Sequence, residues 1–194
     1  MNPLHNAHTS AGNSASSVAS ATSSPLLRAE GIFKHFPLRR SFLSLGKSPV
    51  VKAVEDVSLS IYRGETLGLV GESGSGKSTF GRLALRLYEP TSGRIYFDDI
   101  DITALKPDPM RRLRTRMQIV FQDSYSSLNP RHRVGEIIAE PMHLHTEMSG
   151  KEISERVNEL LSLVGLKSVH RSRFPHEFSG GQRQRINVAR ALAL

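Results

Sequence analysis

Apolar residues along this chain recur with two different periods. Near its start the period is two. Val57, Leu59 and Ile61 alternate with Ser58 and Ser60, which predicts a half-buried strand. The pattern over residues 26–36 also predicts a strand, followed by a polar, basic loop through Lys47 and Pro49. Arg63-Gly64 is a turn. The run at residues 65–70, bounded by Gly64 and Gly71, is short and apolar and predicts a buried strand. After it the period changes to that of a helix, with Phe80, Leu83, Ala84 and Leu87 on one side. Thr91-Ser92-Gly93 is a second turn, with a strand expected over residues 94–97. The compact apolar run at 117–121 predicts another buried strand. Residues 134–142 and 152–164 predict helices, the second with Ile153, Val157, Leu160, Leu161 and Val164 in one stripe. Strands first, then a helical middle, place the chain in the α/β class. There is no internal repeat.

Composition bounds what such a chain does. The 194 residues suffice for one domain with a sizeable core, and 38% of them are hydrophobic. There is no cysteine, hence neither a disulfide framework nor a cysteine-rich metal site. No apolar run approaches the ~18 residues that span a bilayer, so any link to a membrane is expected to run through a partner. Residues 1–25 are rich in Ser, Ala, Asn and Thr, with no charge before Arg28. They lack the basic start and apolar centre of a signal peptide. They read as a disordered tail, or as the product of a start codon placed too early. The net charge is +8, which raises the question of nucleic acid. The cluster Arg111, Arg112, Arg114 and Arg116 is the candidate patch. No aromatic residues interleave with it as single-strand binding needs, so it reads as a solvated face, and no nucleic acid is expected.

The chemistry lies in the run Gly71-Glu72-Ser73-Gly74-Ser75-Gly76-Lys77-Ser78, a G-x-x-x-x-G-K-[ST] loop. A triphosphate concentrates negative charge, and backbone N–H groups hold it only where the backbone comes very close. Gly71, Gly74 and Gly76 permit that approach. The helix expected to start near Lys77 points its positive end at the phosphates. Lys77 supplies a point charge, and Ser78 is the expected Mg²⁺ ligand. Thr79 completes the set expected to contact ATP. A strand before the loop and a helix after it is the setting this motif requires.

A second motif narrows the class. The segment His176-Glu177-Phe178-Ser179-Gly180-Gly181-Gln182-Arg183-Gln184-Arg185 resembles the signature of the ABC transporter ATPases. With the phosphate loop ahead of it, the resemblance covers the chain from about residue 26 to its end. It implies a P-loop NTPase of the ABC ATPase type. That fold has a RecA-like core, an antiparallel β subdomain and a helical subdomain at about 123–180. It also implies head-to-tail pairing with a second ATPase subunit, identical or different. Ser179, Gly180, Gly181 and Gln182 would then close over the ATP held by the partner's loop. Phe36 lies where the family places an aromatic residue that stacks on adenine. A plain strand-end core residue is the alternative. Gln122 resembles the glutamine that contacts Mg²⁺ and the attacking water, in a loop that also touches the membrane subunit. An ordinary polar residue after a strand is the alternative. On this resemblance Lys77 and Gln122 are the catalytic candidates, and Ser78 and Gln122 the metal candidates.

The stretch from Gln122 to Arg131 and that from Arg173 to Phe178 are similar to those of dipeptide and oligopeptide importers, and of nickel and glutathione importers. Ser124 stands where a proline is usual. The implied role is a peripheral ATPase on the cytoplasmic face of a bacterial inner membrane. Its partners would be permease subunits and, indirectly, a periplasmic solute-binding protein. In that family an Asp-Glu pair and a later histidine follow the signature helix. This chain ends at Leu194 without them, so the C-terminal part of the core is expected to be missing. Little hydrolysis and poor solubility are expected of these residues alone. Two other readings stay open: a non-hydrolysing or degenerate ATP-binding module that regulates a partner, and a DNA-associated ATPase of the same superfamily. His143 and His145, two residues apart, do not share a helix face and are not expected to bind metal. Asp98, Asp99 and Asp101 lack the glycine and glutamate of a Ca²⁺ loop and read as a solvated turn.

Overall fold

The computed structural model describes residues 24–38, 49–123 and 126–194. The tail expected at 1–25, except its last two residues, lies outside them, as do most of the basic loop and Ser124. Four strands form one antiparallel sheet in the order β2-β1-β3-β4: β1 Leu27–Pro37, β2 Val50–Ile61, β3 Ser92–Phe97 and β4 Ile100–Asp101. β1 lies in the middle, with Leu27 opposite both Ile61 and Phe97. β2 begins seven residues before the alternation at Val57. Register shifts between β1 and β2, with Asp56 at φ 49°, throw the side chains out of phase there. A bulge of this kind hides the first half of a strand from a period-two reading. At the other side, Gly93 (φ 94°) packs so close to β1 that a Cβ would stand 2.3 Å from the Gly31 carbonyl oxygen.

The covered face of the sheet carries Ala29, Ile32, Val54, Ile95 and Phe97. These pack with Phe80 and Leu83 of α1 (Lys77–Ala84) and with Met110 and Leu113 of α2 (Pro107–Leu113). α1 is shorter than its apolar spacing predicts. Arg86 adopts φ 48°, which ends the helix, and Leu87 lies beyond it, exposed. A second apolar cluster is mainly helical, with Leu128, Leu166, Phe178 and Ala193 added from the connections. It joins α3 (Val134–His145), α4 (Gly150–Leu163) and α5 (Gly180–Ala191) through Ile138, Met142, Val157, Leu160, Leu161 and Ile186, all buried. The two clusters share no residue.

Two expectations fail. Residues 65–70 are not a strand, and Leu67, Leu69 and Val70 are exposed, Val70 to 94%. Residues 117–121 are likewise irregular and only partly covered. Both runs have strand composition. A strand, however, exists only through hydrogen bonds to a neighbour, and neither run pairs with one among the described residues. Leu87 and these two runs account for much of the apolar surface the sheet body exposes.

Candidate nucleotide site

The loop before α1 is shaped by three glycines. Gly74 and Gly76 have φ of 85° and 89°, in the left-handed region that glycine adopts freely. Gly76 is also sterically required. A Cβ on it would stand 2.1 Å from the carbonyl oxygen of Ala53 on β2, so the loop lies directly against the sheet. A Cβ on Gly71 would meet Ser75 Oγ at 2.8 Å. Between them the chain turns at Ser73 and Gly74, with Ser75 N–H donating to Glu72 O at 3.2 Å. Phe80 N–H donates to Gly76 O at 2.8 Å and opens the helix. Its first residues, Lys77, Ser78 and Thr79, therefore present their amides toward the loop. Lys77 Nζ reaches back into this curl. It donates to Gly71 O at 2.7 Å, to Glu72 O, and to Ser75 Oγ at 3.1 Å. The ammonium is thus aimed at the centre of the loop, whose carbonyls hold it there.

Two cavities flank the loop. One, of about 420 Å³, lies between it and β2 and is lined by Lys52, Ala53, Glu55, Gly71, Ser75, Gly76 and Lys77. The Lys52 ammonium beside Glu55 holds that carboxyl below its usual range, assisted by His35. The other, of about 1030 Å³, has Ser78 on one wall and Gln122 on the other. The two residues expected to hold a metal, 44 positions apart in the chain, face a common space. Both offer neutral oxygen donors at an exposed surface, the donor type a hard divalent cation prefers.

Phe36 sits on β1 opposite Val51 of β2, two residues from Ala53, which packs against Gly76. Its ring is half-buried. It meets Tyr88 edge-on, with centroids 5.7 Å apart, and Lys34 Nζ lies 4.9 Å from its centroid. Tyr88 carries no sequence signal for this role, because 52 residues separate it from Phe36.

Ser179, Gly180, Gly181 and Gln182 lie in the helical body. They do not line either cavity beside the phosphate loop. Ser179 is the N-cap of α5. Its Oγ accepts from Gln182 N–H at 3.3 Å, while Gln182 Oε1 accepts from Ser179 N–H at 3.0 Å. Ser179, Gly180 and Gly181 are exposed, so this helix start faces outward with the Gly180 and Gly181 amides outside the cap's own hydrogen bonds. The loop after Gln122 is tied to the same helix. Asn187, 1% exposed, donates to Ser127 Oγ at 2.8 Å, and Arg190 donates to Ser127 O at 2.7 Å. Burial lowers the pKa of Arg190. No residue-spacing rule would have found this link.

Two of the four clustered arginines, Arg114 and Arg116, make internal contacts. Arg116 and Arg63 both pair with Asp98, and Arg114 donates to the Arg86 carbonyl. Asp98 and Asp99, with φ of 53° and 61°, form the tight turn between β3 and β4. Another cavity, of about 850 Å³, lies between α3 and α4 and holds none of the expected site residues.

A family model described as ABC transporter matches residues 54–194. The chain is 49% identical to a probable peptide ABC transporter ATP-binding protein of Sinorhizobium fredii, over 89% of this chain and 48% of that protein. It is 49% identical to the oligopeptide transport ATP-binding protein AppF of Bacillus subtilis, over 91% and 54%. It is 51% identical to the glutathione import ATP-binding protein GsiA of Escherichia coli, over 88% and 27%. The chain therefore spans about half, or less, of the length of these curated relatives. Among solved structures it is similar to the dimeric bacterial ABC transporter cassette MJ0796, with a TM-score of 0.74 and 32% identity over 86% of this chain and 69% of that one. It is also similar to cbiO1 from Clostridium perfringens, with a TM-score of 0.68 and 26% identity over 88% and 62%.

Proposed function

The chain belongs to the ABC transporter family, and on that premise we propose that it binds MgATP as the nucleotide-binding part of a subunit that powers peptide import through a membrane permease. The observation that carries this reading is the loop itself: an ammonium held inside a curl of glycines at the start of a helix, beside a cavity shared by Ser78 and Gln122. Anionic oxygens are stabilised there by the α1 amides, by the helix dipole and by Lys77 together. Ser78 and Gln122 would hold Mg²⁺, which when bound neutralises charge on the phosphates. Phe36 offers its ring to adenine. Gln122 also faces the space in which water would attack the terminal phosphate, with the bond to the bridging oxygen breaking as the new P–O bond forms. Ser179, Gly180, Gly181 and Gln182 complete the site of a second ATPase subunit across a head-to-tail pair. The outward-facing start of α5 suits that role. Peptides are the proposed solute because the relatives named above are peptide, oligopeptide and glutathione transport proteins. The permease partner docks near the loop after Gln122, and a periplasmic solute-binding protein acts indirectly. The subunit sits peripherally on the cytoplasmic face of the bacterial inner membrane. Among the described residues no helix is long and apolar enough to cross a membrane.

The test is a thermal melt with and without MgATP. At a hundredfold excess over Kd, nucleotide binding stabilises the native state by about 2.7 kcal/mol. The wild-type chain should melt higher with nucleotide, and Lys77→Ala should show no such rise. An equal rise in the variant would overturn the assignment of the loop.

A further inference from the structure

Lys34 belongs to none of the motifs above, yet it makes two contacts that converge on Phe36. Residues two apart on a strand share a face, so Lys34 and Phe36 of β1 point the same way. The Lys34 ammonium lies 4.9 Å from the Phe36 ring centroid and donates at 2.8 Å to the carbonyl oxygen of Glu89. Glu89 directly follows Tyr88, whose ring meets Phe36 edge-on. Tyr88 is itself held by Arg82, which lies over its ring at 5.6 Å. The same turn is laced to β1 twice more, by Thr91 N–H to Phe33 O at 2.8 Å and by His35 N–H to Thr91 Oγ1 at 2.9 Å. One cation thus fastens the strand that carries Phe36 to the turn that carries Tyr88. Phe36 stands opposite Val51, and Ala53, roughly 7 Å further along β2, packs against Gly76 of the phosphate loop. A nucleoside whose phosphates lie in that loop has its base in the direction of Phe36.

We propose that Lys34 is a positioning residue for the nucleotide base: its ammonium holds Phe36 by a cation–π contact and a hydrogen bond to Glu89 O, so that the ring is set to stack on a purine. This rests on the reading of Phe36 as the adenine platform. The ammonium acts through the ring and does not reach the phosphates. Removing it should weaken binding of the base and leave phosphate binding unchanged.

Isothermal titration of the 194-residue chain with MgATP and, separately, with inorganic triphosphate tests this. Lys34→Met should bind ATP about three- to tenfold more weakly and bind triphosphate as wild type does. Lys34→Arg, which keeps both the cation and a donor, should restore ATP affinity. If Lys34→Met does not fold by circular dichroism, Lys34→Leu carries the same comparison. Unchanged ATP affinity, or equal losses for ATP and triphosphate, would overturn the proposal. Phe36→Ala separates the two levels. If it weakens ATP binding while Lys34→Met does not, only the role of Lys34 fails. If Phe36→Ala also binds ATP as wild type does, the adenine platform fails and the Lys34 proposal with it.

Discussion

Single residues in this chain hold the fold by close approach and by charge. Gly76 shows the first: with a carbonyl 2.1 Å from where its Cβ would be, no side chain fits without moving the loop off β2. Asp98 shows the second. The hydrogen bond from Arg116, then that from Arg63, holds its carboxyl below the ordinary carboxylate range. A lowered folded-state pKa stabilises the fold above the unfolded value near 4, and that stabilisation is lost as pH falls through the folded value. Asp98→Asn isolates the charge, because asparagine tolerates the positive φ of this turn. The variant should melt below wild type at pH 7, and the gap should close as the pH is taken from about 4 downward. A gap that persists unchanged into acid would mean that the carboxylate charge is not what holds the turn. The partners of Asp98 could not be read from the sequence. They lie 35 positions upstream and 18 downstream, and spacing rules reach only three or four residues.

At the scale of elements, helices and strands differ in how much of their stability is local. α4 declares itself. Ser149 caps it, accepting from Glu152 N–H at 3.4 Å while Glu152 accepts from Ser149 N–H at 2.7 Å, and Ile153, Val157, Leu160 and Leu161 form its buried stripe. Ser149→Ala should cost about 1 kcal/mol in urea unfolding, and a change within error would mean that packing alone fixes the helix start. The α5 cap at Ser179 has the same geometry, so the residue that resembles a nucleotide-closing serine also begins its own helix. The runs at 65–70 and 117–121 illustrate the opposite case. Their composition is that of buried strands, yet they remain irregular, because strand hydrogen bonds come from another segment and no described segment supplies them.

At the scale of the whole molecule, two apolar clusters stand side by side, one of strands with α1 and α2 and one of helices α3 to α5. Between them, Leu85, Leu87 and Met117 face Pro141, Leu144 and Leu194 across a cavity of about 340 Å³. That contact is poorly filled, while each cluster is tightly buried within itself. Native-state hydrogen exchange should therefore resolve two cooperative units, with the amides of α3, α4 and α5 protected to a different free energy from those of β1 and β3. A single opening free energy across both sets would show that the bodies fold as one. The site follows the same division, with Lys77, Ser78 and Phe36 in the strand body and Ser179 to Gln182 in the helical body.

By itself the sequence determined what is encoded in contiguous residues: the glycine loop with Lys77 and Ser78, the helix stripes, and through two motifs the family. Such features are local. Their hydrogen bonds and periodicity close within a few residues, so they survive in a linear reading. Tertiary structure alone decided which of the predicted strands form, that β2 carries a bulge, and that Ser78 and Gln122 share a cavity. It also decided that Lys34 and Tyr88 converge on Phe36 and that Asn187 ties α5 to the loop after Gln122. Each of these depends on partners tens of residues apart, and the chain brings them together only when apolar burial folds the sheet and the helices into their own cores.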